Sequence, residues 1–444
     1  MLIRLPASPV RPLLTRMLKQ ALDSVHAGQA LRRTLRKDGD ELIIGRRRYN
    51  LRDYERVVVV GAGKAAAAMA RAIEPILGRR LDDGLVIVKY GYGLPTRRIT
   101  VAEAGHPVPD RAGLMAARRI MALVAGLTGR DLLFVLLSGG ASSLMPAPVS
   151  GLTLSDKQRI TDQLLRSGAD IGEINTVRKH LSTLKGGGLA SLSDATTVTL
   201  LLSDVIGDDL SAIGSGPTAP DPTTYNDAIT CLRRHGLWTS APSTVRRHLT
   251  SGIKGRLTET PKPGAKLFRR IHYEIIGNNA TALAALTTTA RSAGWRIVLL
   301  PPLMKEARKA GADMGILARR ILKQQRSGTG PCCVVAGGET AVTVTGGGKG
   351  GRAQEFALAA ARAMAGLPHV YVAAVATDGT DGPTDAAGAF VSGDTWSDAR
   401  RIGVDLNIAL NRNDSYHALK RLNCHILTGP TSTNVNDLYL LFVF

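Results

Sequence analysis

Four consecutive valines, residues 57–60, run directly into Gly61-Ala62-Gly63-Lys64 and then into an alanine-rich stretch, residues 65–70. A β-branched run with no polar alternation has to be covered on both faces, as a strand in a parallel sheet between layers of helices is. The glycines supply the tight connection and the alanines the covering helix. The pattern returns at residues 132–137, followed by Ser138-Gly139-Gly140, at residues 197–202, followed by Ser203-Asp204, and at residues 370–376, followed by Thr377-Asp378. Such a chain is an α/β protein, and its 444 residues suffice for two domains.

A polar stretch, residues 220–265, carries Pro220, Pro222, Pro242, Pro261 and Pro263. It sets the expected division at residues 1–255 and 256–444. Tyr273 to Asn279 then opens a second α/β series, with a helix over residues 280–293, a strand over 295–300 and a last strand over 425–427. Near the N-terminus, Leu14, Met17, Leu18, Ala21 and Leu22 recur at helical spacing. That favours an amphipathic helix over residues 12–25, although Arg4, Arg11, Arg16 and Lys19 without an acid would also suit an organelle transit peptide.

Composition narrows the functional classes. With 57 basic and 36 acidic residues the formal charge is +21, yet aromatic residues make up only 4% and no zinc-finger or RNP-like signature is present. A solvated basic surface that attracts small anions is therefore preferred over a nucleic-acid partner. Apolar runs are too short to cross a bilayer. Cys231, Cys332, Cys333 and Cys424 show no CxxC spacing and read as buried thiols in a reducing compartment.

The residues that could carry chemistry sit mostly in glycine-rich turns. Gly337, Gly338 and Glu339 open a stretch that ends in Gly346-Gly347-Gly348-Lys349-Gly350-Gly351-Arg352. Such a run weakens helix and strand alike but lets backbone amides approach an anion, with the N-terminus of a following helix behind them. Lys64 would bring a cation to a helix start in the same way, unless it is an ordinary surface lysine. The turn around it resembles a dinucleotide fingerprint with alanine in the third glycine slot, but the next strand ends in Lys89, where a nicotinamide site wants an acid for the ribose hydroxyls or an arginine for a 2′-phosphate. Ser138, Ser142 and Ser143 place hydroxyls beside Gly139 and Gly140, a seat for a carboxylate or phosphate. His106, in a proline-bound loop, reads as structural or as a ligand contact. Arg178, Ser182 and Lys185 fall on one helical face before Gly186-Gly187-Gly188. Asp204 follows a buried strand. Asp378, Asp381 and Asp385 lie in a glycine-rich loop that could offer oxygen ligands to Mg²⁺, though Asx turns account for some of them.

The motifs VGAGKAA, EAGHPVPD, LLSGGASSLM, INTVRKHLSTLKGGGLA, LLSDVIGDDLSAIGSGPT, GGETAVTVTGGGKGGRAQE, ATDGTDGPTDAAGA and TGPTSTNVNDL occur in this order. Together they resemble the type II glycerate 2-kinase family, also called the MOFRL family. The resemblance implies an N-terminal Rossmann-like domain, a C-terminal MOFRL-type α/β domain and an active site in the cleft between them. It implies transfer of the γ-phosphoryl group of ATP to D-glycerate, with Mg²⁺, giving 2-phosphoglycerate and ADP. The family's implicated lysine and arginine fall on Lys64 and Arg352, which are expected to be catalytic together with Asp204. Substrate contacts are expected from Ser138, Gly139, Gly140, Ser142, Arg178 and Lys185. The nucleotide is expected at Gly61, Gly63, Gly337, Gly338, Glu339, Gly347, Gly348, Lys349, Gly350 and Gly351, and the metal at Asp378 and Asp381. The partners are small molecules, with no membrane, no nucleic acid and a homodimer among the expectations. The compartment is the cytoplasm, with organelle import left open by the basic N-terminus. Two departures stand out: Ala353 where the family has asparagine, and Ser432 where it has glycine. The competing readings are an NAD(P)H-dependent hydroxypyruvate reductase and a non-catalytic basic protein that binds anions or nucleic acid.

Overall fold

The computed structural model describes residues 3–324 and 330–444. Packing divides them into two compact units: Ala27–Ile276, and the residues up to His26 together with Gly277–Phe444. The division thus lies at 276/277 rather than 255/256, and the first helix joins the C-terminal half. Helix Arg11–Val25 buries Leu14, Met17, Leu18, Ala21 and Leu22 and packs on helix Asn279–Ser292 of the same unit. Strand Ile271–Gly277, expected to open the second series, instead forms the edge of the first sheet.

In the unit Ala27–Ile276, β1 (Leu35–Asp38), β2 (Glu41–Ile44) and β3 (Arg47–Asn50) make a small antiparallel sheet. The main sheet comprises β4 (Val57–Ala62), β5 (Asp83–Lys89), β6 (Thr100–Ala104), β7 (Leu132–Leu137), β8 (Thr196–Leu202) and β9 (Ile271–Gly277) in the order β6-β5-β4-β7-β8-β9. The pairings from β6 through β8 are all parallel. Every residue of β4 and β7 is buried, as strands covered on both faces must be. The chain leaves β4 on one side through β5 and β6, then returns to its other side as β7. The switch point of this Rossmann-like sheet therefore lies between β4 and β7, where open α/β sheets bind ligands. Four further helices, Leu154–Arg166, Ile171–His180, Tyr225–Arg234 and Ser243–Ile253, share a separate apolar cluster built on Ile160, Leu164, Val177, Leu232 and Leu249. Three of them start at capping boxes, on Thr153, Asp170 and Thr224.

The other unit is built on β10 (Arg296–Leu299), β11 (Cys332–Gly338), β12 (Val370–Ala376), β13 (Gly388–Ser392), β14 (His425–Ile426) and β15 (Asp437–Val443), ordered β10-β11-β15-β12-β13-β14. Only β10 and β11 run parallel; the remaining pairs are antiparallel. The segment expected as the last strand is the short edge β14. The true last strand, β15, has seven buried residues and lies between β11 and β12.

Ser432 has φ of 58°, so the departure from glycine does put a side chain on a left-handed backbone. Ser432→Gly is expected to stabilise the protein by about 1 kcal/mol, read by urea denaturation. An unchanged or lower midpoint would show that the hydroxyl's contacts outweigh the strain.

Candidate active site

Each unit gathers expected site residues at one edge of its sheet. At the β4/β7 switch point, the turn carrying Lys64 is clamped to the turn after β7. The amides of Gly63, Lys64 and Ala65 donate to the Ile87 carbonyl (3.0 Å), the Gly139 carbonyl (2.8 Å) and Ser138 Oγ (3.0 Å). A Cβ on Gly61 would collide with the Leu136 carbonyl, and one on Gly63 with Ser138 Oγ. These glycines are required by the closeness of the two turns, and those amides are spent inside the protein instead of being turned to a phosphate. Ser138 is wholly buried and ties the turns together, so its hydroxyl is no seat for a substrate. What the turn presents is the partly exposed Lys64 side chain at the start of helix Ala66–Leu77. Asp204 lies two residues past β8, the strand next to β7.

Arg178 and Lys185 do not share a helical face, because the helix ends at His180. Lys185 reaches back from the following loop to the Ser142 carbonyl at 2.7 Å. Ser142 Oγ hydrogen-bonds Ser215 Oγ (2.8 Å), which donates to Asn175 Oδ1 (3.1 Å). The glycine triplet forms no ligand cradle: the Gly186 and Gly187 amides donate to the carbonyls of Ser215 and Gly216. A cavity of about 580 Å³ lined by Arg71, Glu74, Arg79, Arg97 and Arg98 contains none of the expected site residues.

In the second unit, β15 brings Asp437 level with Gly338 on β11 and Ala376 on β12. Arg352, the first residue of helix Arg352–Ala363, grips this edge. Its Nε and Nη2 donate to the two oxygens of Asp437 at 2.6 and 3.1 Å, and Nη1 donates to Glu339 at 2.5 Å. Asn436 holds the other Glu339 oxygen at 2.9 Å, and the Tyr439 hydroxyl donates to Asp437. The two carboxylates hold the guanidinium charged, while burial pushes the Asp437 carboxyl up to about 7, an effect that Arg352 offsets only in part. Asp437 was not singled out from the sequence, since only the position of β15 pairs it with Arg352. Glu339, expected at the nucleotide, accepts from Arg352 and Asn436.

The glycine-rich loop is explained by its neighbour. A Cβ on Gly346, Gly348 or Gly350 would strike the segment Arg412 to Ser415. The amides of Thr345 and Gly346 donate to Asn413 Oδ1, that of Gly348 to the Arg412 carbonyl and that of Lys349 to Asp414 Oδ1. Lys349 lays its ammonium 4.7 Å from the Tyr416 ring centre. Of the amides expected to cradle phosphate, those of Gly348 and Lys349 are turned to the protein, and the loop ends at Arg352.

Of the two aspartates expected to hold metal, Asp381 has another task. It is buried, and its carboxylate caps helix Arg352–Ala363 by accepting from the Ala353 amide (3.1 Å), the Gln354 amide (2.8 Å) and Gln354 Nε2 (3.0 Å). Its oxygens are thereby taken up as acceptors, so it does not fit Mg²⁺. Asp378, after β12, accepts from the Thr380 amide at 3.1 Å through one oxygen and fits as a hard oxygen ligand. Asp381→Ala is expected to lower stability by about 2–4 kcal/mol by orphaning buried donors. A loss below about 1 kcal/mol accompanied by a raised Mg²⁺ requirement would return it to the metal.

Residues 13–250 match a family described as Domain of unknown function (DUF4147), and residues 332–437 match the MOFRL family. The chain is 39% identical to the glycerate 2-kinase of Pyrococcus horikoshii, covering 98% of each chain. It is 40% identical to the D-glycerate 2-kinase of Thermotoga maritima, over 97% of this chain and 98% of the relative. The chain belongs to the type II glycerate kinase family. The solved glycerate kinase from Thermotoga maritima superimposes with a TM-score of 0.85 at 38% identity, covering 98% of this chain and 99% of that one. A putative hydroxypyruvate reductase of Agrobacterium vitis is also 41% identical, over 87% of each chain.

Within this type II glycerate kinase, Ala353 lies fully buried in the apolar cluster around Phe356 and Tyr439, so it faces the core. All four cysteines are free and buried. Among the described residues, Glu173, Cys231 and His235 bring ligand atoms within 4.8 Å of one another. Glu173 is nevertheless committed to Arg234 at 2.7 Å and His235 at 2.8 Å, and burial pushes the Cys231 thiol up to about 11. That cluster is an ion pair beside a protonated thiol. No helix among the described residues is long and apolar enough to cross a membrane.

Proposed function

We propose that this protein is a glycerate 2-kinase that transfers the γ-phosphoryl group of ATP to the 2-hydroxyl of D-glycerate, giving 2-phosphoglycerate and ADP. The observation that carries the reading is near-full-length identity of about 40% to a D-glycerate 2-kinase, in a chain that keeps Lys64 at a sheet switch point and Arg352 clamped by two carboxylates. Phosphoryl transfer asks for in-line positioning and charge neutralisation more than for covalent chemistry. The C2 oxygen attacks the γ-phosphorus as the bond to the β,γ-bridging oxygen breaks, and ADP leaves with that oxygen. Asp204 takes the hydroxyl proton. Lys64 supplies a cation for the charge that develops on the transferred group, and Arg352, held in place by Asp437 and Glu339, is the second candidate for that role. Asp378 would hold Mg²⁺, which when bound neutralises part of the triphosphate charge. The buried thiols support a reducing compartment, and we place the enzyme in the cytoplasm.

The test is purified protein with ATP and D-glycerate, with the product supplied directly to enolase. Consumption by enolase without a mutase identifies the 2-phosphate; a requirement for mutase would move the reaction to the 3-hydroxyl. The reductase reading, prompted by the Agrobacterium relative, predicts NADH oxidation with hydroxypyruvate. Lys89 at the end of β5, where the ribose hydroxyls need an acid, speaks against it.

A further inference from the structure

Helix Leu154–Arg166 carries a lysine that no motif singles out. Lys157 is only 5% exposed and Lys185 only 1%. Arg178, on helix Ile171–His180, is half-buried beside them. Each cation bears on the others: Arg178 acts on Lys157, and both act on Lys185. Among the described residues, none of the three is paired with a carboxylate. Lys157 Nζ has only the Leu181 carbonyl, at 3.4 Å, and Lys185 Nζ only the Ser142 carbonyl.

The same helix supplies a control. Lys179 is equally buried, at 4%, and it has the expected partner, Asp221 at 3.3 Å. Buried lysines are ordinarily paired, because an uncompensated interior charge is expensive. Two nearly inaccessible lysines beside a half-buried arginine, without an acid among the described residues, have only carbonyls as partners, so their charged forms call for an anion from outside the chain. Around them, Ser142, Ser215 and Asn175 form a chain of hydroxyls and one amide that could take up further oxygen atoms of a ligand.

We propose that Lys157, with Arg178 and Lys185, forms a pocket for the carboxylate of the small hydroxy acid substrate, and that Lys157 is a specificity-determining residue that takes up a proton as the anion enters. The assignment of the acid rests on the glycerate kinase reading; the pocket itself does not. In the free protein, burial first and then the Arg178 charge bring Lys157 down to about 7, so at pH 8 it is mostly a neutral amine. The charged group that bears on it across the packing is Arg178, and Lys157 in turn bears on Lys185. Asp156, on its own helix, is occupied with Thr153. An entering carboxylate favours the ammonium form, and the proton comes from the buffer.

The experiment is calorimetric titration of the wild-type protein at pH 8 with D-glycerate alone, in two buffers of different ionisation enthalpy. Net uptake approaching one proton per glycerate is expected, with glycerol giving no binding. In Lys157→Met, uptake disappears, KM for D-glycerate rises about 10–100-fold and KM for ATP stays unchanged. Binding of D-glycerate without proton uptake overturns the proposal, as does an unaltered KM in a folded Lys157→Met protein. Inorganic phosphate taking up the proton where D-glycerate does not would overturn the carboxylate assignment. Should Lys157→Met fail to fold, the wild-type titration decides alone. Because ATP is absent from the titration, an inactive protein that still binds D-glycerate with proton uptake would sink the kinase reading and leave the pocket standing.

Discussion

Arg352→Ala is expected to lower kcat by about 10³-fold or more, the size of effect seen when a transition-state arginine is removed from phosphoryl transfer. The same change is expected to cost on the order of 3–5 kcal/mol of stability, because it leaves Asp437 buried with its charge unopposed. A fall in activity alone would therefore be ambiguous. The double variant Arg352→Met with Asp437→Leu removes both charges, and replacing a buried ion pair by apolar residues is often neutral or stabilising. Recovered stability, read by urea denaturation, with activity still lost assigns Arg352 to the chemistry. If the double variant regains both, the ion pair is structural and the transferring phosphoryl group is met elsewhere. Arg352→Lys adds a further check, since one ammonium cannot span both Asp437 oxygens and Glu339 as the fork does.

The second large effect is on stability and its pH dependence. Lys157 is held at about 7 in the folded protein against an ordinary 10.5. Between these values the unfolded chain binds more protons than the folded one, so stability climbs as pH rises through this window and the penalty is fully present below about 7. The slope contributed by one such group approaches about 1.4 kcal/mol per pH unit. Lys185 is displaced in the same direction and adds to it. Lys157→Met, which keeps the apolar stem and removes the amine, is expected to raise the unfolding free energy at pH 7 by about 2–4 kcal/mol and to flatten its rise between pH 7 and 8.5. Cysteines, ordinarily near about 8.5, begin to titrate in this range in both proteins alike, so the difference between the two curves isolates Lys157. Parallel curves for the two proteins would mean that Lys157 remains charged and solvated. Greater stability with weaker glycerate binding would be a cost accepted for function.

The sheet around the first site was readable because its causes are local. The runs 57–60 and 132–137 are too apolar and too β-branched for anything but doubly covered strands, and the glycine turns after them could only be tight connections. The first helix was likewise given by the spacing of Leu14, Met17, Leu18, Ala21 and Leu22. Lys64 and Arg352 were legible for a similar reason: each follows a glycine turn and stands at or just before the first turn of a helix. The uses of the glycines around them were not legible. A glycine that admits a ligand and one that admits a neighbouring backbone look alike in sequence, and here the segment Arg412 to Ser415 occupies the space beside Gly346, Gly348 and Gly350.

Pairings across long stretches of chain decided the rest. Asp381 reads as a metal ligand until the packing aims it at the start of a helix 28 positions earlier, at Ala353. Asp437 reads as the end of a loop until β15 slides between β11 and β12 and brings it to Arg352. Lys157 stands on a polar helix and carries no signal in the sequence, yet the packing buries it against the Leu181 carbonyl. Hydrophobic periodicity records which face of an element is buried, and so it determines elements and sheets. The partner of a buried charge depends on where distant elements come to rest, and only the tertiary structure supplies that.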